Sequence, residues 1–346
     1  MLFEPVRGIS FTMLAVAASR AAMASEPSSE PFDTGVFSGV STPALITQEY
    51  AYLVLGICAI IFLIVGGAGL VTIVRYRKRP GDDDREPPQV YGSNPLELAW
   101  TVIPLVVVFV LAIVTGRTIA ELQIDEQPPG WMPVTAIGHQ WWWEFQYPEY
   151  GITTANELHI PVSKAGDRRP VFLTLESEDV IHSFWIPRLA GKTDVIPNRN
   201  NHMWFEPLRT GLYVGQCSEY CGTQHANMLL RVYVHTPEEF ERWAANQQRT
   251  SVQDPGVHEG RKVFQQTACI NCHTVRGTVA TGQFGPDLTH LMSRQTLGAG
   301  VARIDRANLT DWVQNPAHLK PGARMPAMGL DDKKLDQLVS YLLTLK

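Results

Sequence analysis

Four of the five cysteines in this 346-residue chain fall in two close pairs, Cys217/Cys221 and Cys269/Cys272, while Cys58 sits alone in an apolar run. The first pair opens the sequence Cys217-Ser-Glu-Tyr-Cys221-Gly-Thr-Gln-His225-Ala-Asn-Met228. Thiolate, imidazole and thioether are the donors that copper electron-transfer sites use, a mononuclear site needing one Cys, two His and a weak axial Met. Cys221, His225 and Met228 supply three of these from one loop. The best-placed second imidazole is His182, in Asp179-Val-Ile-His182-Ser-Phe, just after a predicted strand. Cys217 is then a surplus thiolate, and two thiolates four residues apart can bridge two coppers that share an electron. A disulfide is the competing reading of this pair in an oxidising compartment. His and Met at ligand spacing favour copper over a disulfide, and the Met also disfavours zinc. His139, His159, His202 and His235 lack a comparable setting and read as packing or surface residues.

The second pair lies in Cys269-Ile-Asn-Cys272-His273, the attachment pattern of a covalently bound c-type heme. Two thiols at this spacing reach the two vinyl groups, and the adjacent His supplies an axial imidazole to the iron. A thioredoxin-like pair is the alternative, but it expects a βαβ setting that is not readable here. A sixth ligand suited to electron transfer is Met. Met325, in Lys320-Pro-Gly-Ala-Arg-Met325-Pro326, is favoured, with Met328 the alternative and Met292 a weaker one.

These residues need a scaffold, and composition says it is not wholly soluble. Charged residues are only 18%, below the ~25% typical of soluble proteins. Residues 53–74 and 98–116 contain no charge at all. The first run spans the ~30 Å hydrocarbon layer at 1.5 Å per residue; the second, interrupted by Pro104, does so if Arg117 snorkels to the interface. Between them lie Arg75, Arg77, Lys78, Arg79 and Arg85. The positive-inside rule therefore makes that loop cytoplasmic and sends both termini outward. Residues 1–24 carry a secretory-signal pattern ending in Ala22-Met23-Ala24, although Arg20 stands close to the cleavage site and an uncleaved tail is the alternative. Residues 25–48 read as extended, and 49–122 as a transmembrane helical hairpin. Glu97, near the start of the second span, reads either as a helix-dipole partner or as the start of a proton path.

From Met132 to His235 short alternating runs such as Val171-Phe-Leu-Thr-Leu175, punctuated by Gly, Pro and Asn, predict a β-sandwich or barrel. A short helix follows from Pro237 to Ala245. Residues 123–245 thus form one domain, 246–255 a polar linker and 256–346 a helical domain. The net charge is −5, split into −8 over residues 1–250, of which 125–245 carry −6, and +3 over 251–346, so an acidic module precedes a basic one. Opposite fields favour encounter between the two. No basic stripe interleaved with aromatics is present, which argues against nucleic acid as a partner.

Gly138-His-Gln-Trp-Trp-Trp-Glu-Phe, Ser177-Glu-Asp-Val-Ile-His-Ser-Phe, the Cys217–Met228 loop and Leu98-Ala-Trp-Thr-Val-Ile-Pro together resemble subunit II of heme–copper cytochrome c oxidases over roughly residues 45–245. Residues 256–346 resemble class I cytochromes c, with Gly260 and Phe264 on a first helix, Gly285-Pro286-Asp-Leu after the heme motif, and a last helix from Asp331. The resemblance implies a cupredoxin fold holding the dinuclear copper centre CuA, liganded by His182, Cys217, Cys221, His225 and Met228. It also implies that the Glu219 backbone carbonyl joins the ligands, while the Glu219 carboxylate helps bind a magnesium ion shared with subunit I. By the same likeness Trp141 is the aromatic through which electrons enter, and Glu97 lies at the mouth of a proton channel. In the cytochrome part, heme is held by Cys269, Cys272, His273 and Met325, and the Pro286 carbonyl accepts the other ring N–H of His273.

The implied function is electron relay from a donor, through heme c and CuA, to the hemes of subunit I, where dioxygen is reduced with proton pumping. Implied partners are subunit I, subunit III, an upstream cytochrome or quinol–cytochrome c reductase, and membrane lipid. The implied location is a bacterial cell membrane, with the redox domains on the outer face. Two other readings are a CuA-bearing subunit of a nitric oxide reductase and a membrane-anchored copper and cytochrome electron carrier. A quinol oxidase subunit should lack the thiolates that Cys217 and Cys221 provide.

Overall fold

The computed structural model describes residues 34–81, 86, 88–252 and 254–346. The signal-like segment 1–24 and Arg85 lie outside the described residues. Helices α1 (Thr42–Arg75) and α2 (Asn94–Leu122) contain the two charge-free runs; α1 begins well before its run, so residues 42–48, expected to be extended, are helical, and the hairpin starts at Thr42 and not at residue 49. Both have Pro at the first turn, where the missing N–H has no helical partner to lose. Their mean hydropathies, 2.8 and 2.7, and their lengths suffice to cross a membrane. Tyr50 and Thr115 link them through hydroxyl groups 2.6 Å apart. Neither helix shows an amphipathic pattern, which fits surroundings apolar on all sides.

The β-domain is a sandwich of two five-stranded sheets. Its strands are β1 (Met132–His139), β2 (Trp142–Tyr147), β3 (Ile152–Ala155), β4 (Glu157–Pro161), β5 (Val171–Ser177), β6 (His182–Trp185), β7 (Thr193–Val195), β8 (Asn201–Phe205), β9 (Gly211–Cys217) and β10 (Leu229–His235). One sheet runs β3-β2-β1-β5-β8 and the other β4-β10-β9-β6-β7. β1 is parallel to β5 and β4 to β10, and the remaining pairs are antiparallel. Burial alternates with period two along β2 and β10, so Trp143, Phe145, Tyr147, Leu230, Val232 and Val234 fill the space between the sheets. Helix α3 (Pro237–Gln247) closes the domain with a capping box in which Thr236 and Glu239 satisfy each other's backbone N–H. The sandwich is tied to the helices by Trp204, whose indole N–H donates to the Leu122 carbonyl at 3.0 Å, and by Thr42, whose hydroxyl donates to Glu206 at 2.6 Å.

The connecting segment is less free than its polar composition predicts. Ser251 is buried and donates its backbone N–H and hydroxyl to the Arg276 carbonyl, while the His290 ring nitrogen Nε2 lies 2.9 Å from the Arg249 carbonyl. Beyond it come α4 (His258–Gln266), the single turn α5 (Cys269–Cys272), the two-residue strands β11 (Thr296–Leu297) and β12 (Ala302–Arg303), α6 (Arg306–Gln314) and α7 (Asp332–Leu342). Phe264, Leu309, Val313, Leu335, Leu338, Val339, Tyr341 and Leu342 form their core. Helices α4 and α7 cross at Gly260, where an added Cβ would fall 1.9 Å from the Gln337 carbonyl oxygen. Only glycine permits that approach.

Candidate functional site

Sheet pairing assembles the first donor cluster. Cys217 ends β9 and lies opposite Phe184 of β6, so the start of β6 carries His182 beside it. The chain then loops from Cys217 to Leu229 of β10, and the Cys217 N–H donates to the Met228 carbonyl at 3.0 Å to close the loop. His182 Nδ1 lies 3.9 Å from Cys217 Sγ, the two sulfurs 3.8 Å apart, Cys221 Sγ 3.7 Å from His225 Nδ1, and Cys221 Sγ 3.8 Å from Met228 Sδ. The Glu219 carbonyl oxygen is 3.2 Å from Cys217 Sγ. His182, Cys217, Cys221 and Met228 are buried and His225 is half-buried.

The set fits copper. Two sulfurs each ~2.3 Å from one tetrahedral ion lie roughly 3.8 Å apart, whereas a disulfide needs ~2.05 Å; here both cysteines are free. Hydrogen bonding with the Cys221 thiol, then with His182, holds Cys217 well below the ordinary thiol range against the opposing effect of burial. Hydrogen bonding with Cys217, followed by burial, pushes the Cys221 thiol up. Burial pulls His182 down, but Asp179 and Cys217 outweigh it and raise the imidazole above its usual value. Gly138 makes room for this ring: a Cβ there would fall 2.8 Å from the His182 Cδ2.

The second site is a cavity of about 1020 Å³. Cys269, Cys272, His273 and Met325 all line it, with apolar Phe264, Leu288, Leu297, Val313 and Leu338. His273 Nδ1 is 2.8 Å from the Pro286 carbonyl oxygen, an acceptor, so this nitrogen carries the hydrogen and Nε2 is left to bind iron. Burial lowers the His273 imidazole and favours the neutral ring that ligation requires. A c-type heme fits a cavity of this size, apolar lining and donor set. Met328 also lines it, and Met292 does not.

Trp141 and Gln140 stand between the two sites. Both donate to the Cys221 carbonyl, at 3.0 Å from the indole and 2.7 Å from the amide, and both line the heme-sized cavity. The Glu219 side chain is exposed at the loop tip. Glu97 lies apart, at the first turn of α2, where its carboxylate accepts the Ser93 N–H at 3.3 Å. Sequence reasoning missed Asp179, although its place three residues before His182 was a signal, and Lys320, a lysine only 3% exposed.

Two apolar helices, a cupredoxin-like sandwich with a buried thiolate–imidazole–thioether cluster, and a helical domain with a heme-sized cavity define a class of membrane-anchored metal-binding redox subunits. Residues 132–234 match the family described as cytochrome C oxidase subunit II, periplasmic domain, 34–115 match its transmembrane domain, and 257–346 match cytochrome c. Cytochrome c oxidase subunit 2 of Alkalihalophilus pseudofirmus is 34% identical over 299 residues, covering 84% of each chain. The subunit 2 of a Bacillus species is 33% identical over 291 residues, covering 78% of this chain and 80% of that one. Quinol oxidase subunit 2 of Bacillus cereus is 29% identical over 198 residues, covering 56% of this chain and 65% of that one. The chain belongs to the cytochrome c oxidase subunit II family and carries a cytochrome c domain after the sandwich. Membership implies copper in the sandwich, heme in the helical domain and a subunit I partner.

Proposed function

We propose that this chain receives electrons for a cytochrome c oxidase and delivers them to subunit I, where dioxygen is reduced with proton translocation. The observation that carries the reading is the convergence of His182, Cys217, Cys221, His225 and Met228 within one buried cluster. These five side chains and the Glu219 carbonyl hold a dinuclear CuA centre, and Cys269, Cys272, His273 and Met325 hold heme c; when bound, the two supply reversible one-electron chemistry. Asp179 fixes the His182 ring through a 2.9 Å contact to Nε2, directing Nδ1 at the sulfurs. Met228, Phe184 and Trp143, all buried, exclude water from this side of the cluster. Trp141 couples to the cluster through its indole N–H on the Cys221 carbonyl.

The exposed Glu219 carboxylate is available to a magnesium ion shared with subunit I. The positive-inside rule assigns the basic loop before α2 to the cytoplasmic side, which supports Glu97, at the start of α2, as the mouth of a proton path into subunit I. The sandwich and the cytochrome domain then lie on the outer face. Cys217 and Cys221 distinguish the chain from a quinol-oxidising subunit, which needs no thiolate pair. The test is to purify the complex through this chain and follow dioxygen consumption with a reduced cytochrome donor. The account expects a heme–copper subunit I in the complex and loss of turnover in C217S and C221S variants that still assemble. A large subunit that reduces nitric oxide instead, or turnover that survives both substitutions, overturns it.

A further inference from the structure

The helical domain is seated on the sandwich through two buried ionisable side chains, each belonging to one domain and hydrogen-bonded by polar groups of the other. Lys320 of the helical domain is 3% exposed. Its ammonium donates to the Trp141 carbonyl at 2.7 Å, to Asn227 at 2.8 Å and to Gly298 at 2.7 Å, which uses all three of its hydrogens. Two of those acceptors belong to the sandwich, on the turn carrying Trp141 and on the loop carrying the copper donors. In the other direction Glu157 of β4 is 1% exposed, and its Oε1 accepts the backbone N–H groups of Gln295 and Thr296 at 2.8 and 3.0 Å and the Thr296 hydroxyl at 3.2 Å. Arg324, one residue before Met325, reaches Asp179, the partner of His182, at 3.6 Å.

A buried charge is tolerated only where its hydrogen-bonding capacity is met, and separating the domains breaks five hydrogen bonds, two from Lys320 and three to Glu157. We propose that Lys320 is a positioning residue that locks the cytochrome domain on the Trp141 face, so that the domain acts as a fixed cap and not as a swinging carrier. Lys320 does so by fixing the start of the loop that ends in Met325 directly on the Trp141 carbonyl, while the Trp141 indole holds the Cys221 carbonyl. Glu157 pins the opposite edge and prevents rotation about that point. A protein donor arriving from solution therefore meets the cytochrome domain, because the Trp141 face is already covered. This inference rests on the proposed relay for its kinetic consequence, but its structural part does not depend on either cofactor.

The test uses the assembled complex and the full-length chain with K320M, which keeps side-chain length and removes the cation, and E157Q at the other edge. Three quantities are read: cross-linking yield between cysteines introduced at Arg231 and Gln295, whose side chains meet at 3.4 Å across the two domains, copper and heme spectra, and the rate of heme-to-copper electron transfer after flash reduction of the heme. In K320M the account expects unchanged spectra, a lower cross-linking yield and a transfer rate reduced roughly tenfold or more, as an intramolecular contact becomes a search. E157Q shows the same pattern more weakly, and it carries the test if K320M does not fold. Unchanged cross-linking and unchanged rate, with both spectra intact, overturn the lock. Absence of the copper or heme spectrum in the unsubstituted protein instead overturns the relay, and the cross-linking arm still decides whether Lys320 holds the domains.

Discussion

Asp179 Oδ1 lies 2.9 Å from His182 Nε2, and the opposite nitrogen of that ring lies 3.9 Å from Cys217 Sγ. The carboxylate therefore selects the tautomer that points an unprotonated Nδ1 at the cluster. Its second oxygen accepts the Gln140 N–H at 2.7 Å, so it is held as firmly as it holds. Replacing Asp179 by Asn removes the charge and leaves the shape. Loss of such a partner lowers metal affinity by ~10–100-fold. Copper titration of D179N against a competing chelator checks this; affinity equal to the unsubstituted protein counts against the role assigned to Asp179.

Met325 and Met328 line the same cavity, so the sixth ligand is settled by substitution. M325A is expected to lower the heme reduction potential by a sizeable part of the ~0.8 V that axial ligands span, and M328A to leave it nearly unchanged. Redox titration of both variants reads this directly. The opposite ranking reassigns the ligand to Met328.

Packing at Gly260 leaves no room for a methyl group, because a Cβ would fall 1.9 Å from the Gln337 carbonyl oxygen and 2.9 Å from the Tyr341 Cβ. G260A must push α4 from α7, and overpacking of this kind costs ~1–3 kcal/mol or more. Thermal unfolding followed at the heme absorbance is expected to show a lowered midpoint, while a transition followed at the copper absorbance moves less. A G260A protein as stable as the parent contradicts the crossing.

Two histidines outside both sites set a pH dependence. His159 and His235 face each other with ring nitrogens 2.8 Å apart, and His159 is also stacked on Trp243 and Tyr233. Burial lowers His159 well below the ordinary value and, with the neighbouring His235, keeps it neutral; burial lowers His235 as well. Between their folded values and the unfolded ~6.5 the unfolded chain binds more protons. Their contribution is thus fully present above that value and is lost as pH falls below it. Each histidine adds a slope of up to ~1.4 kcal/mol per pH unit. Unfolding midpoints of the parent and H159Q between pH 5 and 7.5 should diverge in slope, the variant being flatter; parallel profiles refute the assignment.

Much of this was legible in the residues. Charge-free runs announced α1 and α2, short alternating runs announced β5 and β10, and the spacing of Cys217, Cys221, His225 and Met228 announced a metal loop, because ligand geometry restricts residue type at fixed intervals. The resemblance supplied Trp141 and Glu219. Lys320, Glu157 and Arg324 stayed hidden for a physical reason: each acts on backbone or side-chain groups that are distant in sequence and close only after the two domains meet. Lys320 is 179 residues from Trp141, and Glu157 is 139 from Thr296. Such residues look like ordinary surface charges until burial reveals them. The polar linker misled in the same way, since composition cannot show that Ser251 packs against Arg276.

The central claim is that one buried cluster holds two coppers beside a covalently bound heme. Metal and heme analysis of the purified full-length chain, with a copper EPR spectrum, tests it most directly. The account predicts two coppers for each heme iron and an unpaired electron spread equally over both copper nuclei. One copper with a mononuclear spectrum, or a Cys217–Cys221 disulfide without copper in a folded, copper-supplied sample, contradicts it.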